Sequence, residues 1–81
     1  MNLDDAKFLR DLGSRLRERR LARGLTQEEL GALCALHRTF IGSVERGERN
    51  LSLLNLRQIA KTLRAPLSDL FAVRPKPGPS D

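Results

Sequence analysis

Residues 26–50 of the 81-residue chain, TQEELGALCALHRTFIGSVERGERN, organise the rest of the sequence. At the period of an α-helix, this stretch predicts two short helices with only a few residues to turn between them. The apolar positions that recur every three or four residues would face each other in a core: Leu30, Leu33, Cys34, Ile41 and Val44. The stretch therefore predicts two crossed helices joined by a tight turn.

The outer face of the second of these helices combines basic and hydroxyl groups with residues of little bulk. At spacings of one, three and four, that face carries Arg38, Thr39, Gly42, Ser43 and Arg46. A glycine inside a helix costs about 1 kcal/mol relative to alanine, and close approach of DNA or of a neighbouring helix would explain it. The alternative is that Gly42 has no functional or structural role. The face favours docking on a polyanion over simple solvation.

The charge balance of the chain also indicates an anionic partner. Fifteen lysines and arginines stand against ten acidic residues, which gives a net charge of +5 and a pI near 10.7. Such a balance is typical of proteins that bind nucleic acid or an anionic membrane surface. No apolar run approaches the roughly 20 residues of a membrane-spanning helix. With no tryptophan or tyrosine and only three phenylalanines, the chain lacks the aromatic platforms of base-stacking RNA modules.

We expect a cytoplasmic protein that is not an enzyme and has no cofactor. The start of the chain is acidic and mixed, unlike a signal peptide, and the single Cys34 cannot form an internal disulfide. An inert buried thiol is favoured there over a redox sensor. One histidine without a second ligand predicts no metal site, and no nucleophile stands at a recognisable spacing from it. No small-molecule ligand is inferred.

The flanking segments predict three further helices. A first helix capped by Asp4 would bury Phe8, Leu9, Leu12 and Leu16 and end at Gly24. Thr26 and Glu29 form a capping box that starts the second helix, and the region of His37 opens the third. A fourth helix capped by Ser52 would bury Leu53, Leu56, Ile59, Ala60 and Leu63, and Ser68 would cap a short fifth helix beyond Pro66. The prediction is an all-α domain over residues 1–73 with a disordered tail over 74–81.

The segments TQEEL (26–30) and VERGERN (44–50), followed by Ser52 and Leu53, resemble the Cro/C1-type (XRE-like) helix-turn-helix transcription regulators. Within that family, RTFI (38–41) with ERGERN (45–50) is similar to the controller proteins of restriction-modification systems. The resemblance implies a five-helix, lambda-repressor-like domain with its helix-turn-helix at helices 2 and 3. It also implies a sequence-specific regulator that acts as a homodimer on a palindromic operator in double-stranded DNA. RNA polymerase is a further candidate partner.

The resemblance assigns roles to individual residues. Arg38 and Thr39 match base-reading positions, and we add Gly42 and Ser43 from the same face. Contacts with the DNA backbone are expected from residues around that face: Gln27, His37, Phe40, Arg46, Arg49 and Asn50. For Arg38 the alternatives are a phosphate contact and a solvated surface arginine. The Thr39 hydroxyl could equally well form a hydrogen bond with a base, with a phosphate or with the backbone in the first turn of its own helix.

The family pattern also implies an internal salt bridge between Arg20 and Glu45, which we expect to position the third helix more than to stabilise it. The turn position usually held by glycine is Ala35, which must adopt a left-handed conformation or shift the turn. Arg64 likewise replaces a usual glycine, and Phe40 a frequent tyrosine.

An apolar patch in the C-terminal half is the predicted dimer interface. Its members are Leu51, Leu54, Leu70, Phe71 and Val73. Ordinary surface leucines are the alternative for the first two. The competing function is a protein-interaction helix-turn-helix module, such as an antitoxin or a phage-type repressor with a protein partner.

Overall fold

Residues 2–71 are described by a computed structural model, and they form five α-helices without a strand. The helices are α1 (Leu3–Ala22), α2 (Gln27–Cys34), α3 (Arg38–Glu45), α4 (Leu53–Leu63) and α5 (Leu67–Leu70). The all-α, five-helix prediction is therefore confirmed over this range. The predicted domain boundary at residue 73, the interface residue Val73 and the predicted tail lie outside the described residues.

Local capping starts the three central helices as predicted. At α2, the Glu29 N–H donates to the Thr26 hydroxyl at 3.0 Å, and the Thr26 N–H donates to the Glu29 carboxylate at 2.8 Å. His37 caps α3 by accepting a backbone N–H on Nδ1 at 3.1 Å. Ser52 caps α4 by accepting the N–H three residues on, at 3.0 Å. The first residues of α2, α3 and α4 are thus set by contacts between residues at most three positions apart.

Two predicted helix starts are wrong. Asn2, not Asp4, caps α1, because its amide oxygen already accepts the Asp5 N–H at 2.8 Å and an asparagine caps a helix as well as an aspartate. Helix α5 follows Pro66 directly, with no side-chain cap, so Ser68 lies inside the helix. The proline ring holds φ at −60°, which prepares the chain for the helical turn without a capping hydroxyl.

Apolar side chains from all five helices form one core. It consists of Leu12, Leu16, Leu30, Cys34, Ile41, Val44, Leu56, Ile59, Ala60, Leu63, Ala65 and Leu70. Three predicted core positions are wrong, because Phe8, Leu33 and Leu53 are exposed, and a fourth, Leu9, is only half-buried and lies outside this core. Leu33 is 59 % exposed: the two-turn helix α2 buries the line through Leu30 and Cys34, and this narrow contact leaves Leu33 at its edge.

Helix α3 is held by close backbone approaches on two sides. A Cβ atom at Gly31 of α2 would lie 2.4 Å from the Leu36 carbonyl oxygen in the turn, and one at Gly13 of α1 would lie 2.3 Å from the Val44 carbonyl oxygen of α3. Between α2 and α3, Ala35 adopts the left-handed conformation with φ 58° and ψ 38°. Ala35 therefore takes the left-handed conformation that a glycine would take in this turn. The close approaches at Gly31 and Gly13 fix the direction of α3 relative to α1 and α2.

Candidate nucleic-acid interface

A shallow open depression of about 230 Å³ lies along α3. It is lined by Gln27, Arg38, Thr39, Gly42 and Arg46. Gln27 comes from the first turn of α2, whereas the others belong to α3 or follow it directly. Two of these lining residues are arginines and none is acidic, so the depression suits an anionic or hydrogen-bond-accepting group. All five were singled out from the sequence, but only the crossing of α2 and α3 makes one surface of them.

Arg38 occupies the first position of α3 and projects from the surface. Its Nη1 donates a hydrogen bond to Oε2 of Glu28 at 2.6 Å, and both side chains are exposed. Glu28 lies in the first turn of α2. Sequence reasoning missed this partner, because an acid ten residues before an arginine has no meaning until the crossing of the two helices is known.

Thr39 and His37 interact with each other at the start of α3. Nδ1 of His37 accepts the Thr39 N–H at 3.1 Å and lies 2.7 Å from the Thr39 hydroxyl. Both side chains are exposed. The imidazole therefore serves as the helix cap and orients the hydroxyl that lines the depression.

Gly42 lies buried beneath the depression. A Cβ atom there would be 3.1 Å from Nη1 of Arg46 and 3.2 Å from Oε1 of Gln27. These are the ends of two side chains that line the same depression. The glycine thus gives both side chains room, which is a role within the protein, and it offers no polar side chain to a base.

A buried ion pair anchors the end of α3 and reaches the depression through Gln27. Arg20 donates to Glu45 from Nε at 2.6 Å and from Nη2 at 3.0 Å, and its Nη1 donates to the Leu25 carbonyl at 2.7 Å. Arg20 is 6 % exposed and Glu45 is 8 % exposed. The hydrogen bonds to Glu45 raise the pKa of Arg20, with burial acting in the opposite direction. Gln27 Nε2 donates to the same carboxylate at 3.0 Å, so α1, α2 and α3 share one polar network.

Arg49, which follows α3, is also held by neighbouring side chains. The Arg49 guanidinium carbon lies 5.1 Å from the centroid of the Phe40 ring, and Arg49 Nε donates to the Ser43 hydroxyl at 3.4 Å. Ser43 in turn donates to the Phe40 carbonyl at 2.8 Å. These three residues and the exposed Asn50 lie outside the lining of the depression. Arg49 is therefore placed beside the depression by an aromatic ring and a hydroxyl.

The predicted dimer surface needs one correction. Leu70 is 1 % exposed and belongs to the core, because the single turn of α5 directs its apolar side chain inward. Leu51 packs partly against the core, whereas Leu54 is 74 % exposed. Phe71 is exposed and stacks on Phe8 of α1 at a centroid distance of 6.1 Å. Of the described residues in the predicted patch, Leu54 and Phe71 offer the most free surface.

Within residues 2–71, no three histidine, cysteine, aspartate or glutamate side chains lie together as a metal site would require. In the same range, no helix is long and apolar enough to cross a membrane. Cys34 is a buried free thiol.

Comparisons with known proteins agree with this geometry. The helix-turn-helix family HTH_3 matches residues 16–70. Control protein C.BamHI of Bacillus amyloliquefaciens is 44% identical over 60 residues, which are 73% of this chain and 74% of that protein. Control protein C.SmaI of Serratia marcescens is 44% identical over 60 residues, which are 74% of this chain and 71% of that protein.

A solved structure extends the comparison to three dimensions. The restriction-modification controller protein C.AhdI from Aeromonas hydrophila matches with a TM-score of 0.80 and 46% sequence identity, over 84% of this chain and 99% of that chain. The family match covers α2 to α5 together with the C-terminal part of α1. The chain therefore belongs to the helix-turn-helix family HTH_3, and within that family it is similar to the restriction-modification controller proteins.

Proposed function

We propose that the chain is a DNA-binding transcription regulator of the restriction-modification control type, which acts as a homodimer on a palindromic operator. The observation that carries the proposal is the gathering of Gln27, Arg38, Thr39 and Arg46 around one open depression along α3. A helix with basic and hydroxyl groups on its outer side fits the major groove of B-DNA. The similarity to named control proteins supports the same role.

Affinity in this proposal comes mainly from the phosphates. Exposed guanidinium groups come from Arg46, which lines the depression, and from Arg49, which lies outside its lining; Gln27 adds an amide at the start of α2. Each phosphate neutralised by an arginine releases counterions, so the logarithm of the binding constant falls with the logarithm of salt by about 0.9 per contact. The amide of Gln27 is already oriented by Glu45, so less ordering remains when it meets a phosphate.

The DNA sequence specificity in this proposal comes from residues at the start of α3. Arg38 donates to O6 and N7 of a guanine, a pairing that discriminates by about 1–3 kcal/mol, and Thr39 contacts the neighbouring base. Gly42 and Ser43 contribute room and local hydrogen bonding more than direct readout. The proposed base contacts therefore rest on two adjacent residues whose orientation the protein sets before DNA arrives.

A homodimer supplies the second half-site. Two copies of α3 must lie about 34 Å apart to enter successive major grooves. The exposed apolar side chains of Leu53, Leu54 and Phe71 are the proposed contact surface. Replacing Leu54 with lysine should shift the mass measured by sedimentation equilibrium towards that of a monomer, and an unchanged dimer mass would refute the assignment.

Selection of bound duplexes from a random pool tests the proposal directly. We expect an inverted repeat whose half-site centres lie about 10–10.5 base pairs apart. Arg38→Ala should lose preference at one position in each half-site, whereas Arg57→Ala, which removes an exposed arginine from α4, should keep the full pattern. A pool with no enriched sequence overturns sequence-specific binding, and a single unpaired half-site overturns the dimer.

The competing hypothesis is a protein-interaction module. Titration of a random duplex at two salt concentrations separates the two functions, because a DNA-binding protein binds and loses affinity steeply with salt. An interaction module would show no binding at either concentration. We further propose a cytoplasmic location and no catalytic activity, both of which agree with the regulatory role. RNA polymerase at the regulated promoter is a further proposed partner.

A further inference from the structure

We infer that Glu28 is a positioning residue for base recognition: its carboxylate holds one nitrogen of the Arg38 guanidinium and leaves the guanine-binding edge free. The inference rests on the proposed function and deepens it. Glu28 lies outside the lining of the depression, and neither the sequence pattern nor the family resemblance gives it a role in base recognition.

The geometry separates the two uses of the guanidinium. Arg38 donates from Nη1 to Glu28 Oε2 at 2.6 Å, and among the described residues this is the hydrogen bond its side chain makes. In an arginine, Nε–H and one N–H of Nη2 point in the same direction, as parallel donors. Guanine O6 and N7 form the matching pair of acceptors. The ion pair and the base contact therefore use different N–H groups and can exist together.

The carboxylate reduces the freedom that Arg38 would otherwise lose on the DNA. A free arginine side chain samples many rotamers, and binding to one base edge requires a single arrangement. Glu28 stands on α2, and α2 is held against α3 by the buried network of Gln27, Glu45 and Arg20. The partner of Arg38 is thus fixed to the same rigid unit that carries α3. Because both side chains are exposed, the expected contribution is modest, about two- to fivefold in discrimination.

Glu28 also places a negative charge near the surface that would face the phosphates. Removal of this charge lowers the repulsion with any duplex. Loss of Glu28 should therefore change two quantities in opposite directions: binding to random duplex becomes tighter, and discrimination between bases becomes poorer. A merely structural residue would weaken both or neither.

The test variant is Glu28→Gln, measured by fluorescence anisotropy at fixed salt. Three labelled duplexes are needed: the one selected by wild type, the same duplex with the Arg38-dependent base pair replaced, and a random sequence. We expect affinity for the random duplex to rise about twofold, since one repelling charge is lost. The ratio of affinities for the first two duplexes should fall about two- to fivefold.

A matched control is Glu48→Gln. Glu48 accepts a hydrogen bond from Arg46 Nε at 3.0 Å, so this variant removes an equal charge from the same region without touching Arg38. Glu48→Gln should raise the affinity for the random duplex by a similar factor. It should keep the wild-type ratio of affinities for the selected duplex and the duplex with the replaced base pair. In an Arg38→Ala background, Glu28→Gln should leave the remaining ratio unchanged. A wild-type ratio in Glu28→Gln, or an equal fall in Glu48→Gln, would overturn the inference.

A second variant keeps the test informative whatever the stability of the first. Glu28→Asp retains the charge but is one methylene shorter, so the contact with Arg38 is lost. Its base ratio should fall while its random binding stays at the wild-type value, and a wild-type ratio here also overturns the inference. Failure of the proposed function looks different, because wild type would then show no preference among duplexes at all.

Discussion

Replacing Ala35 with glycine should stabilise the protein, although the substitution removes a methyl group from the turn between α2 and α3. Ala35 is exposed and adopts φ 58° and ψ 38°. A residue with a Cβ atom is strained there by about 1–2 kcal/mol, a strain that glycine lacks. Glycine also has more conformational entropy in the unfolded chain, which lowers the free energy of unfolding by about 0.4–1 kcal/mol. The middle values of the two ranges leave a net gain of about 0.8 kcal/mol.

The matched control is Ala32→Gly, the same chemical change three residues earlier. Ala32 is exposed and lies inside α2 with a helical backbone. Glycine in a helix interior destabilises by about 1 kcal/mol. For a domain of this size, 1 kcal/mol corresponds to about 4–8 °C in Tm. The Tm should therefore rise by about 3–6 °C in Ala35→Gly and fall by about 4–8 °C in Ala32→Gly.

Far-UV circular dichroism during heating measures both variants. Protein concentration must be equal in all samples, because association stabilises the folded chain by mass action. Arg64, which ends α4 at φ 55°, provides a repeat of the experiment at another helix end, and Arg64→Gly should also raise Tm. A fall in Tm for Ala35→Gly that equals the fall for Ala32→Gly would refute the argument from backbone strain.

Three further predictions concern the packing and the surface of α3. Arg20→Met should destabilise the fold by about 3–5 kcal/mol in urea unfolding, because the buried carboxylate of Glu45 loses its partner; wild-type stability would contradict this. Gly13→Ala should lower stability by about 1–3 kcal/mol in the same assay, since the new methyl would meet a carbonyl oxygen of α3. Phe40→Leu should lower the salt slope for random duplex by about 0.9, because Arg49 loses the ring that holds it, whereas Phe40→Tyr should keep the slope. Equal slopes in both variants would show that the ring does not position Arg49.

The elements of the fold follow closely from local sequence. The box formed by Thr26 and Glu29, the cap at Ser52 and the left-handed residue at Gly24 depend on atoms at most three or four residues apart. The geometry of such contacts is the same in any helix of these residues. The start of α1 is an exception: Asp4 is predicted as its cap, but Asn2 caps it, because residues of both types cap helices equally well.

Burial was less predictable. Leu33 and Leu53 fall at helical spacing from core residues, yet both are exposed, whereas Leu70, assigned to a partner surface, is buried. Periodicity identifies the apolar side of a helix but not the width of the strip that its neighbours cover. That width depends on the crossing of the helices: Leu33 lies at the edge of the contact that the two-turn helix α2 makes, and Leu53 is the first residue of α4.

The sequence by itself determined the five helices, the position of the turn and the basic outer face of α3, because each depends on a pattern within a few residues. The tertiary structure alone decided which charges meet. Arg38 donates a hydrogen bond to Glu28, ten residues away in the sequence, and Gln27 donates one to Glu45, eighteen residues away. No local rule relates positions so far apart, and the pair Arg20–Glu45, separated by twenty-five residues, is expected only through the family resemblance. Such contacts exist because α1, α2 and α3 cross at fixed angles, and those angles are set by the packed core as a whole.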